Sequence, residues 1–415
     1  MKYSAKYKLY LSQMTDPPNQ MANTANFEKL DGLLSDGLYP IGEIRITRNP
    51  GAMSPNWLLC NGEMINTGQY PLIEPLLQDR KSGFDYNWTE VPGITPQAIV
   101  SGVVAGTKWW VALDYNNQSQ GTTVKYKSGS LLSGSWATKT VATNINYRAY
   151  GIKFLNGYFV AIGGGFIGST NRIIWSVLGA PTGTWVETHM DSNAEGSGVV
   201  DIAFGNGFWC VSSGDYYGNY IQSDSPQGVW PRGHVVGRNI AFANDFWVGS
   251  GRGLSNNTIE YKQGAPNAPW SMISAAPGTS SDGIYKTVPG NGYWMTDSGF
   301  YVQGNPNSLP EGTWPKNSNW PAANYLFSYT KDRWLGKSSA DNKINYIIGS
   351  PNGTVKTRTF SGIDRVLYLS HENDVWIMIA DYSPYRLFFA IDGYRLPDIP
   401  IPDAYAYIKA AELAA

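Results

Sequence analysis

Short runs of alternating apolar and polar residues fill most of the chain, and one type of run recurs. Each copy starts at a small or Asn-containing turn, passes through an aromatic residue and ends in an apolar stretch that predicts a half-buried strand. The copies are AGTKWWVAL (105–113), LNGYFVAIG (155–163), GNGFWCVSSG (205–214), ANDFWVGSG (243–251), GNGYWMTDSG (290–299), TKDRWLG (330–336) and ENDVWIMIA (372–380). Their aromatic markers, about 44 residues apart on average, are Trp110, Phe159, Trp209, Trp247, Trp294, Trp334 and Trp376. This period predicts a repeat architecture.

Each repeat holds four predicted strands, here called A to D in chain order. Strand A is a short apolar run such as YGIKFL (150–155), and strand B carries the marker. Strand C follows a Gly- or Ser-rich loop. Strand D carries a second tryptophan series, at Trp136, Trp185, Trp230, Trp270 and Trp314. Four strands per 40–50 residues are typical of a β-propeller blade, so we predict an all-β fold with a seven-bladed β-propeller over residues 84–393. An irregular β-sandwich is the alternative.

The ends of the repeat region predict how the ring of blades closes. The sixth blade has Thr354–Phe360 as its D strand, without a tryptophan, and the seventh has no D strand of its own. A matching segment, YNWTEVPG (86–93), precedes the first A strand, and its Trp88 is in phase with the D series. We therefore expect this segment to complete the last blade, because an open ring would leave unpaired strand edges.

Composition excludes several classes of protein. Charged residues make up 15% of the chain, aromatic residues make up 14%, and the formal net charge is −1. Few charges and many aromatic residues are the opposite of a disordered chain. No basic block is present, so a nucleic-acid partner that depends on phosphate neutralisation is not expected. No run approaches the length of a membrane-spanning helix, and the N-terminus lacks the apolar core of a signal peptide.

Cysteine and histidine residues are too few and too scattered to predict a metal site or a catalytic triad. Cys60 and Cys210 are expected to be free thiols, because they lie 150 positions apart. His189, His234 and His371 have no partner at metal-ligand spacing, and none follows a nucleophile motif. We expect no cofactor, no metal and no enzyme activity.

Four motifs in the flanks resemble the phage tail collar domain. They are Pro40–Ile44 (PIGEI), Asn56–Gly62 (NWLLCNG), Gln69–Leu72 (QYPL) and, far downstream, Tyr394–Asp398 (YRLPD). The resemblance implies a collar-like domain in two parts, 37–83 and 394–415, with the propeller inserted between them. It also implies a protein of the virion tail, synthesised in the host cytoplasm, in contact with other tail proteins and assembled as a homo-oligomer such as a trimer.

Residues 1–36 form a predicted N-terminal attachment segment. Within it, MANTANFEKLDGLL (21–34) has apolar residues near helical spacing, which predicts a short helix. Two interpretations stay open. The helix docks onto another tail protein, or it packs on its own domain.

The predicted topology also indicates a recognition face. The collar-like domain replaces the C–D loop of the seventh blade, so the face that carries the B–C and D–A loops is the free one. Exposed aromatic and short polar residues suit recognition of a glycan or an outer-membrane protein. The candidate receptor-binding residues in the B–C loops are Tyr115, Asn116, Asn117, Phe166, Asp215, Tyr216, Tyr217, Arg252, Asp341 and Tyr382. The D–A loops add His189, Asp191, Asn193 and Trp320.

The sequence therefore predicts a phage tail-fibre or tail-tip protein that binds a bacterial surface receptor. One alternative is a structural tail adaptor that joins virion proteins. A second is a sialidase-like glycan hydrolase or depolymerase, since SDSPQGVW (223–230) resembles a sialidase turn. That alternative needs arginines converging on a substrate carboxylate. Arg148, Arg238 and Arg365 are the only candidates near the starts of A strands.

Overall fold

A computed structural model provides the three-dimensional structure. It describes residues 88–391 except 115–121, 132–133, 143–146, 166–171, 177, 191–197, 214–217, 234–236, 251–257, 275–283, 307–313, 322–326, 339, 373–374 and 382–383, together with 2–3, 10–11, 44–47, 57–59, 64–66, 80–81, 83–85, 393–395 and 405–409. The predicted helix at 21–34 and Cys60 lie outside the described residues. Within the described residues no helix is long and apolar enough to cross a membrane.

The chain divides into two compact units. One consists of residues 1–88 and 390–415, and the other of residues 89–389. A short 3-10 turn at Gly83–Asp85 precedes the second unit. The described strands before it are β1 (Lys2–Tyr3), β2 (Tyr10–Leu11), β3 (Ile44–Thr47), β4 (Trp57–Leu59), β5 (Met64–Asn66) and β6 (Arg80–Lys81).

The second unit contains the repeat region, which forms seven antiparallel sheets in chain order. A separate first strand, β7 (Thr89–Val91), precedes blade 1. Blade 1 consists of β8 (Pro96–Val104), β9 (Thr107–Asp114), β10 (Thr122–Ser128) and β11 (Ala137–Ala142). Blade 2 consists of β12 (Tyr147–Leu155), β13 (Tyr158–Gly165), β14 (Arg172–Ser176) and β15 (Trp185–His189). Blade 3 contains β16 (Val199–Gly205), β17 (Phe208–Ser213) and β18 (Gly218–Gln222).

Blades 4 to 7 continue the same order of strands. Blade 4 consists of β19 (Asn239–Ala243), β20 (Phe246–Ser250), β21 (Thr258–Gln263) and β22 (Ser271–Ser274), and blade 5 contains β23 (Thr287–Gly290), β24 (Tyr293–Thr296) and β25 (Tyr301–Gln303). Blade 6 consists of β26 (Phe327–Thr330), β27 (Arg333–Lys337), β28 (Lys343–Ile348) and β29 (Lys356–Thr359). Blade 7 contains β30 (Val366–Glu372), β31 (Val375–Ala380) and β32 (Arg386–Ile391). The prediction of a seven-bladed β-propeller is confirmed.

The blades close into a ring. The A strands contact one another in the order β8, β12, β16, β19, β23, β26 and β30, and β30 contacts β8 again. In blade 7 the fourth strand is β7, whose Val91, Glu90 and Thr89 pair with Leu387, Phe388 and Phe389 of β32. The segment before the first A strand thus completes the last blade, as the phase of Trp88 predicts. The A strands surround the centre of the ring.

In blades 3 and 5 the D segment pairs through a single bridge. Asn219 pairs with Arg232 in blade 3, and Phe300 pairs with Lys316 in blade 5. In both blades the D-series tryptophan is followed by a proline, Pro231 or Pro315. Proline has no backbone N–H to donate to a ladder, and it is tolerated at the edge of a sheet. The sequence therefore explains why these outer strands are shortened.

The core consists of the two aromatic series. All seven marker residues of the B strands are fully buried. In the D series, Trp185, Trp230, Trp270 and Trp314 are buried, whereas Trp136 is half-buried. Cys210 on β17 is a buried free thiol, as expected. Truncating a buried aromatic residue to alanine costs about 3–5 kcal/mol, so these rings stabilise the blades strongly.

The described strands of the first unit form three small sheets: β1 pairs with β2, and each of the other two sheets has strands from both ends of the chain. The C-terminal strands are β33 (Gly393–Arg395) and β34 (Tyr405–Lys409). Strand β34 pairs with β3 on one side and β4 on the other, and β33 lies between β5 and β6. In this unit the end of the chain therefore pairs with its beginning.

Candidate functional site

The two ends of the blades differ in how the strands are connected. Because the strands are antiparallel, the A–B and C–D turns share one end, here called the closed-turn face. The B–C and D–A connections share the other end, here called the loop face. Every A–B turn is two residues long, and the six that are described have positive φ at both residues. Turns of this type match the twist of the two strands that they join, and they all have the same length.

The C–D turns of the closed-turn face repeat one hydrogen bond. The indole Nε1–H of Trp185 donates to the carbonyl of Pro181 at 3.0 Å. In the next two blades, Trp230 donates to Pro226 at 3.1 Å, and Trp270 to Pro266 at 3.0 Å. Each turn is therefore folded over a buried tryptophan, which gives this face the same backbone in successive blades.

The connections of the loop face vary in length. They range from four residues, at 92–95, to twelve, at 275–286. Connections that differ in length and sequence on a uniform scaffold are where binding residues are most often found. Nine of the ten candidate receptor-binding residues fall in connections outside the described residues. They are Tyr115, Asn116, Asn117, Phe166, Asp215, Tyr216, Tyr217, Arg252 and Tyr382, and they stay predictions.

Asp341 is the one candidate that the structure describes. Its Oδ1 lies 2.5 Å from Lys337 Nζ, and its Oδ2 lies 2.5 Å from Arg365 Nη2. Hydrogen bonds from Lys337 and Arg365 hold the pKa of this carboxyl below its usual value. Asp341 thus joins the B–C connection of blade 6 to the start of the A strand of blade 7, and a ligand would have to compete with that pairing.

A second ion pair lies beside it. Asp381, with φ of 61°, accepts hydrogen bonds from the backbone N–H of Asp364 at 2.9 Å and of Arg365 at 3.1 Å. Its other oxygen lies 2.7 Å from Arg386 Nη2. Burial alone would raise the pKa of Asp381, but the hydrogen bonds from Arg386 and the backbone lower it. Blades 6 and 7 therefore carry alternating charges on the loop face.

The prediction that Trp320 is an exposed binding residue is wrong. Its side chain is only 2% exposed, and its Nε1–H donates to the carbonyl of Asp297 at 3.1 Å. The ring packs edge-on against Phe327 of β26. An apolar contact and a satisfied indole N–H drew this loop tryptophan into the core. His189 is the last residue of β15, paired with Arg172, and Asp191 and Asn193 lie outside the described residues.

The arginines of the hydrolase alternative differ in environment. Arg365 is paired with Asp341, and Arg238 is exposed just before β19. Arg148 lies on β12 in blade 2. Arg238 donates its backbone N–H to the carbonyl of Ser250 at 2.7 Å. Among the described residues, no group of three or more His, Cys, Asp or Glu side chains could hold a metal ion.

A polar belt lines the inner strands of blades 2 to 4, and the sequence did not predict it. Lys153 Nζ lies 2.5 Å from Asp201 Oδ1 and also donates to the carbonyl of Ile202 at 2.8 Å. Asn239 Nδ2–H donates to Asp201 Oδ2 at 2.7 Å. Burial opposes ionisation of Asp201, but the charge and hydrogen bond of Lys153 lower its pKa below the usual value. Asp201 is therefore an ionised carboxylate shared by three blades.

The belt continues into blade 5. Asn239 Oδ1 accepts a hydrogen bond from the backbone N–H of Thr287 at 3.0 Å. The neighbouring Lys286 is half-buried and lies close enough to Asp201 to affect its pKa. Just before the A strand β23, the backbone N–H of Tyr285 donates to Asp297, which directly follows the B strand β24, at 3.2 Å. Burial raises the pKa of Asp297 to about 7.

One signal in the sequence could have indicated this belt. Asp201, Asn239 and Lys286 each stand five residues before the A–B turn of their blade, inside or at the start of an A strand. A polar residue at a fixed position of the innermost strand lies on the same face of that strand in every blade where it occurs. Lys153 stands two residues closer to its turn, on the same face of its strand but at a different height, so its ion pair with Asp201 can be placed only from the structure.

Fold and site together define a seven-bladed β-propeller protein with closed turns on one face and variable connections on the other. No protein-family model and no curated protein matches the chain. Its fold is similar to that in "YCF48 bound to D1 peptide" (14% identity, 76% of this chain, 100% of that chain, TM-score 0.48). The computationally designed Ika8 protein is 12% identical over 73% of this chain and 98% of that chain, with a TM-score of 0.43. A chain in the crystal structure of the mitotic checkpoint complex is 11% identical over 74% of this chain and 91% of that chain, with a TM-score of 0.48. Similarity at this level carries no argument about function.

Proposed function

We propose that this protein is a phage tail-fibre or tail-tip component that binds a bacterial surface receptor through the loop face of its propeller. The observation that carries the proposal is the difference between the faces. One face has two-residue turns and repeated tryptophan-closed turns. The other has connections of four to twelve residues, rich in Tyr, Asn and Asp. A rigid ring that presents variable aromatic and polar loops suits recognition without catalysis.

The assignment to a tail rests on the collar-like motifs and on the pairing within the first unit. Asn56–Gly62 includes β4, and Tyr394–Asp398 begins within β33. Strand β34 lies between β3 and β4, so segments from the two ends of the chain share one sheet. This pairing is what a collar-like domain interrupted by an insertion requires. Contacts with other tail proteins, and assembly as a trimer, belong to the same proposal.

The test is adsorption. Purified protein should bind susceptible cells and compete with phage adsorption, and a Tyr216→Ser/Tyr217→Ser double variant should lose both properties. Lys356→Gln, on the exposed outer strand β29, is the matched control and should retain both. If the unmodified protein neither binds cells nor competes, the receptor-binding proposal is wrong.

A tail adaptor is the second candidate, and one observation favours it. Leu178 is 78% exposed and Val229 is 82% exposed, and both lie in C–D turns of neighbouring blades on the closed-turn face. Exposed apolar side chains on a uniform face suit packing against another protein. Replacing both with serine should reduce incorporation into particles while cell binding persists. The hydrolase alternative would instead be supported by release of reducing sugar from host polysaccharide.

A further inference from the structure

Two A–B turns of the closed-turn face form a matched pair. The sequence is GNGFW (205–209) in blade 3 and GNGYW (290–294) in blade 5. The φ of Asn206 is 50° and that of Asn291 is 47°, and both residues are exposed. The glycines that follow them have φ of 74° and 75°. By sequence neighbours, exposure and backbone conformation the two asparagines are therefore equivalent.

The main-chain contacts of the two turns also match. In blade 5 the carbonyl of Gly292 accepts a hydrogen bond from the N–H of Gly304 at 2.8 Å, and the last pair of the ladder is Gly290 with Tyr293. The same contacts recur in blade 3. The N–H of the turn glycine thus lies outside the ladder in both turns, directly after the asparagine.

The two asparagines differ in what their side-chain amides contact. Asn206 Nδ2–H donates to Oδ1 of Asp245, the second residue of the A–B turn of blade 4. The corresponding carboxylate for Asn291 is Asp332, and its Oδ1 lies 3.6 Å from Nε of the adjacent Arg333. Among the described residues, none accepts a hydrogen bond from the Asn291 amide. The amide of Asn206 is therefore held by a neighbouring blade, whereas that of Asn291 can rotate in solvent.

We propose that Asn291 is a site of spontaneous deamidation. The backbone nitrogen of Gly292 attacks Cγ of Asn291 and loses its proton to solvent, the bond from Cγ to Nδ2 breaks, and the amide leaves as ammonia. Glycine favours this step because it has no side chain to obstruct the approach. Water then opens the cyclic succinimide at one of its two carbonyls, which gives aspartate or isoaspartate without any redox change. The proposal does not depend on the receptor-binding function.

The other Asn-Gly pairs in the described part of the chain are protected in different ways. Asn156 Nδ2–H donates to the carbonyl of Asp224 in the next blade at 2.7 Å, which holds its amide as in Asn206. At Asn352 the attacking atom is held instead, because the N–H of Gly353 donates to the carbonyl of Ser350 at 2.9 Å. Asn291 has neither restraint among the described residues.

The modification would change the turn that carries it. Isoaspartate places an additional carbon atom in the main chain, and a two-residue hairpin turn has no room for it without a change of register. In aged protein, amide hydrogen exchange should therefore become faster in β23 and β24, the two strands that this turn joins.

The test compares the sites within the unmodified, full-length chain. The protein is incubated in mildly alkaline buffer, and deamidation at each asparagine is followed by peptide mass spectrometry. Asn291 should react about two- to tenfold faster than Asn206, the effect of one retained hydrogen bond. In urea the two rates should converge, because the flanking sequences match. Equal rates in the folded chain would overturn the proposal, as would an Asn291 that stays intact in the folded chain after both sites have reacted in urea.

Asp245→Ala tests the cause of the difference. It removes the acceptor of Asn206, so deamidation at Asn206 should accelerate about two- to tenfold and approach the rate at Asn291. Asp224→Ala is the matched control, since it removes an exposed carboxylate from the same face but keeps the main-chain carbonyl that holds Asn156. It should leave all these rates unchanged. An Asn206 that stays slow in Asp245→Ala contradicts the proposal, and if that variant does not fold, the comparison within the unmodified chain decides.

Discussion

At the scale of single residues, tryptophan has two distinct roles in this chain. The B-strand markers are fully buried inside each blade. The D-strand tryptophans also close a turn, because each indole N–H donates to a proline carbonyl four residues earlier in blades 2, 3 and 4. Blade 6 has no tryptophan at that position, and the carbonyl of Pro351 accepts from Asn317 Nδ2 at 2.8 Å instead. The spacing of proline and tryptophan, readable in the sequence, thus marks a hydrogen bond as well as a core residue.

Trp230→Phe should separate these two roles. Phenylalanine keeps most of the apolar surface but cannot donate to the carbonyl of Pro226, which is a buried residue in an otherwise exposed turn. An unpaired buried carbonyl costs about 1–3 kcal/mol, so the free energy of unfolding in urea should fall by that amount. Trp136→Phe, in a half-buried position of blade 1, should cost less. If Trp230→Phe and Trp136→Phe lose equal amounts of unfolding free energy, the hydrogen bond to the proline carbonyl has no special role.

Asp297 should make the stability depend on pH. Its pKa is about 7 in the folded chain and near 3.8 in the unfolded one, so the unfolded chain loses this proton first as pH rises. Its contribution is therefore fully present below about pH 4 and is lost by about pH 7, a change of a few kcal/mol. Asp297→Asn lacks this titration. In urea unfolding, the variant should gain stability relative to the unmodified chain between pH 4 and pH 8.

Asp341→Asn is a control variant whose relative stability should change with pH in the opposite direction. The pKa of Asp341 is lowered in the folded chain by hydrogen bonds from Lys337 and Arg365. Its contribution is present above its usual pKa and is lost as pH falls through the folded value. As pH falls, the unfolding free energy of the unmodified chain should therefore decrease relative to that of Asp341→Asn. If both variants show the same pH trend, the assigned directions of the two pKa shifts are wrong.

At the scale of elements, neighbouring A strands fit together by alternation of small and large residues. A Cβ on Gly102 would lie 2.4 Å from the ring of Phe154, and one on Gly205 would lie 2.1 Å from Phe242. On Gly290 it would lie 2.1 Å from Tyr329. Blades 1, 3 and 5 thus each leave room for an aromatic ring of the following blade. The sequence predicts each strand, but which residues of two unpaired strands meet can be seen only when the blades pack.

Gly205→Ala should destabilise the contact between blades 3 and 4. The added methyl overlaps the ring of Phe242, which already packs on Trp247 at 4.7 Å between centroids. Overpacking of this kind costs about 1–3 kcal/mol. The measurement is the free energy of unfolding for Gly205→Ala, Phe242→Leu and the double variant.

The double variant should lose less unfolding free energy than the sum of the losses in the two single variants, because leucine makes room for the methyl. Gly183→Ala is the control, since a Cβ there has its nearest neighbour at 3.4 Å. Additive effects of Gly205→Ala and Phe242→Leu would mean that the two residues do not compete for space.

At the scale of the whole molecule, the sequence predicted the ring but not the polar belt inside it. The period of the markers gives the number of blades, and the phase of Trp88 gives the closing strand. The belt of Lys153, Asp201 and Asn239 joins strands that are about 40–50 residues apart and not hydrogen-bonded to one another in a ladder. Hydrophobic periodicity carries no information on which of these residues meet across blades, although Asp201 and Asn239 stand at the same distance before their A–B turns.

Val91→Asp should test how far the ring depends on its closing strand. Val91 is 7% exposed and pairs with Leu387 of β32. A buried carboxylate there would detach β7 and expose the edge of β32. Amide hydrogen exchange should become about tenfold faster or more in β7, β32 and the adjoining A strands β30 and β8. Val141, at a half-buried position on the outer strand of blade 1, packs against the core shared by blades 1 and 2, so Val141→Asp should affect those two blades alone. Exchange that stays local in both variants would contradict a ring held shut at this seam.

Strand β7 has one more consequence. It is the first strand of the propeller unit, and its partner β32 is the last, so the ring begins and ends on neighbouring strands that lie about 5 Å apart. A carrier protein with two chain ends at that spacing could therefore accept the whole ring as a single insertion. Exchange of genetic segments between lineages could replace it, or move it to an unrelated carrier, in a single recombination event.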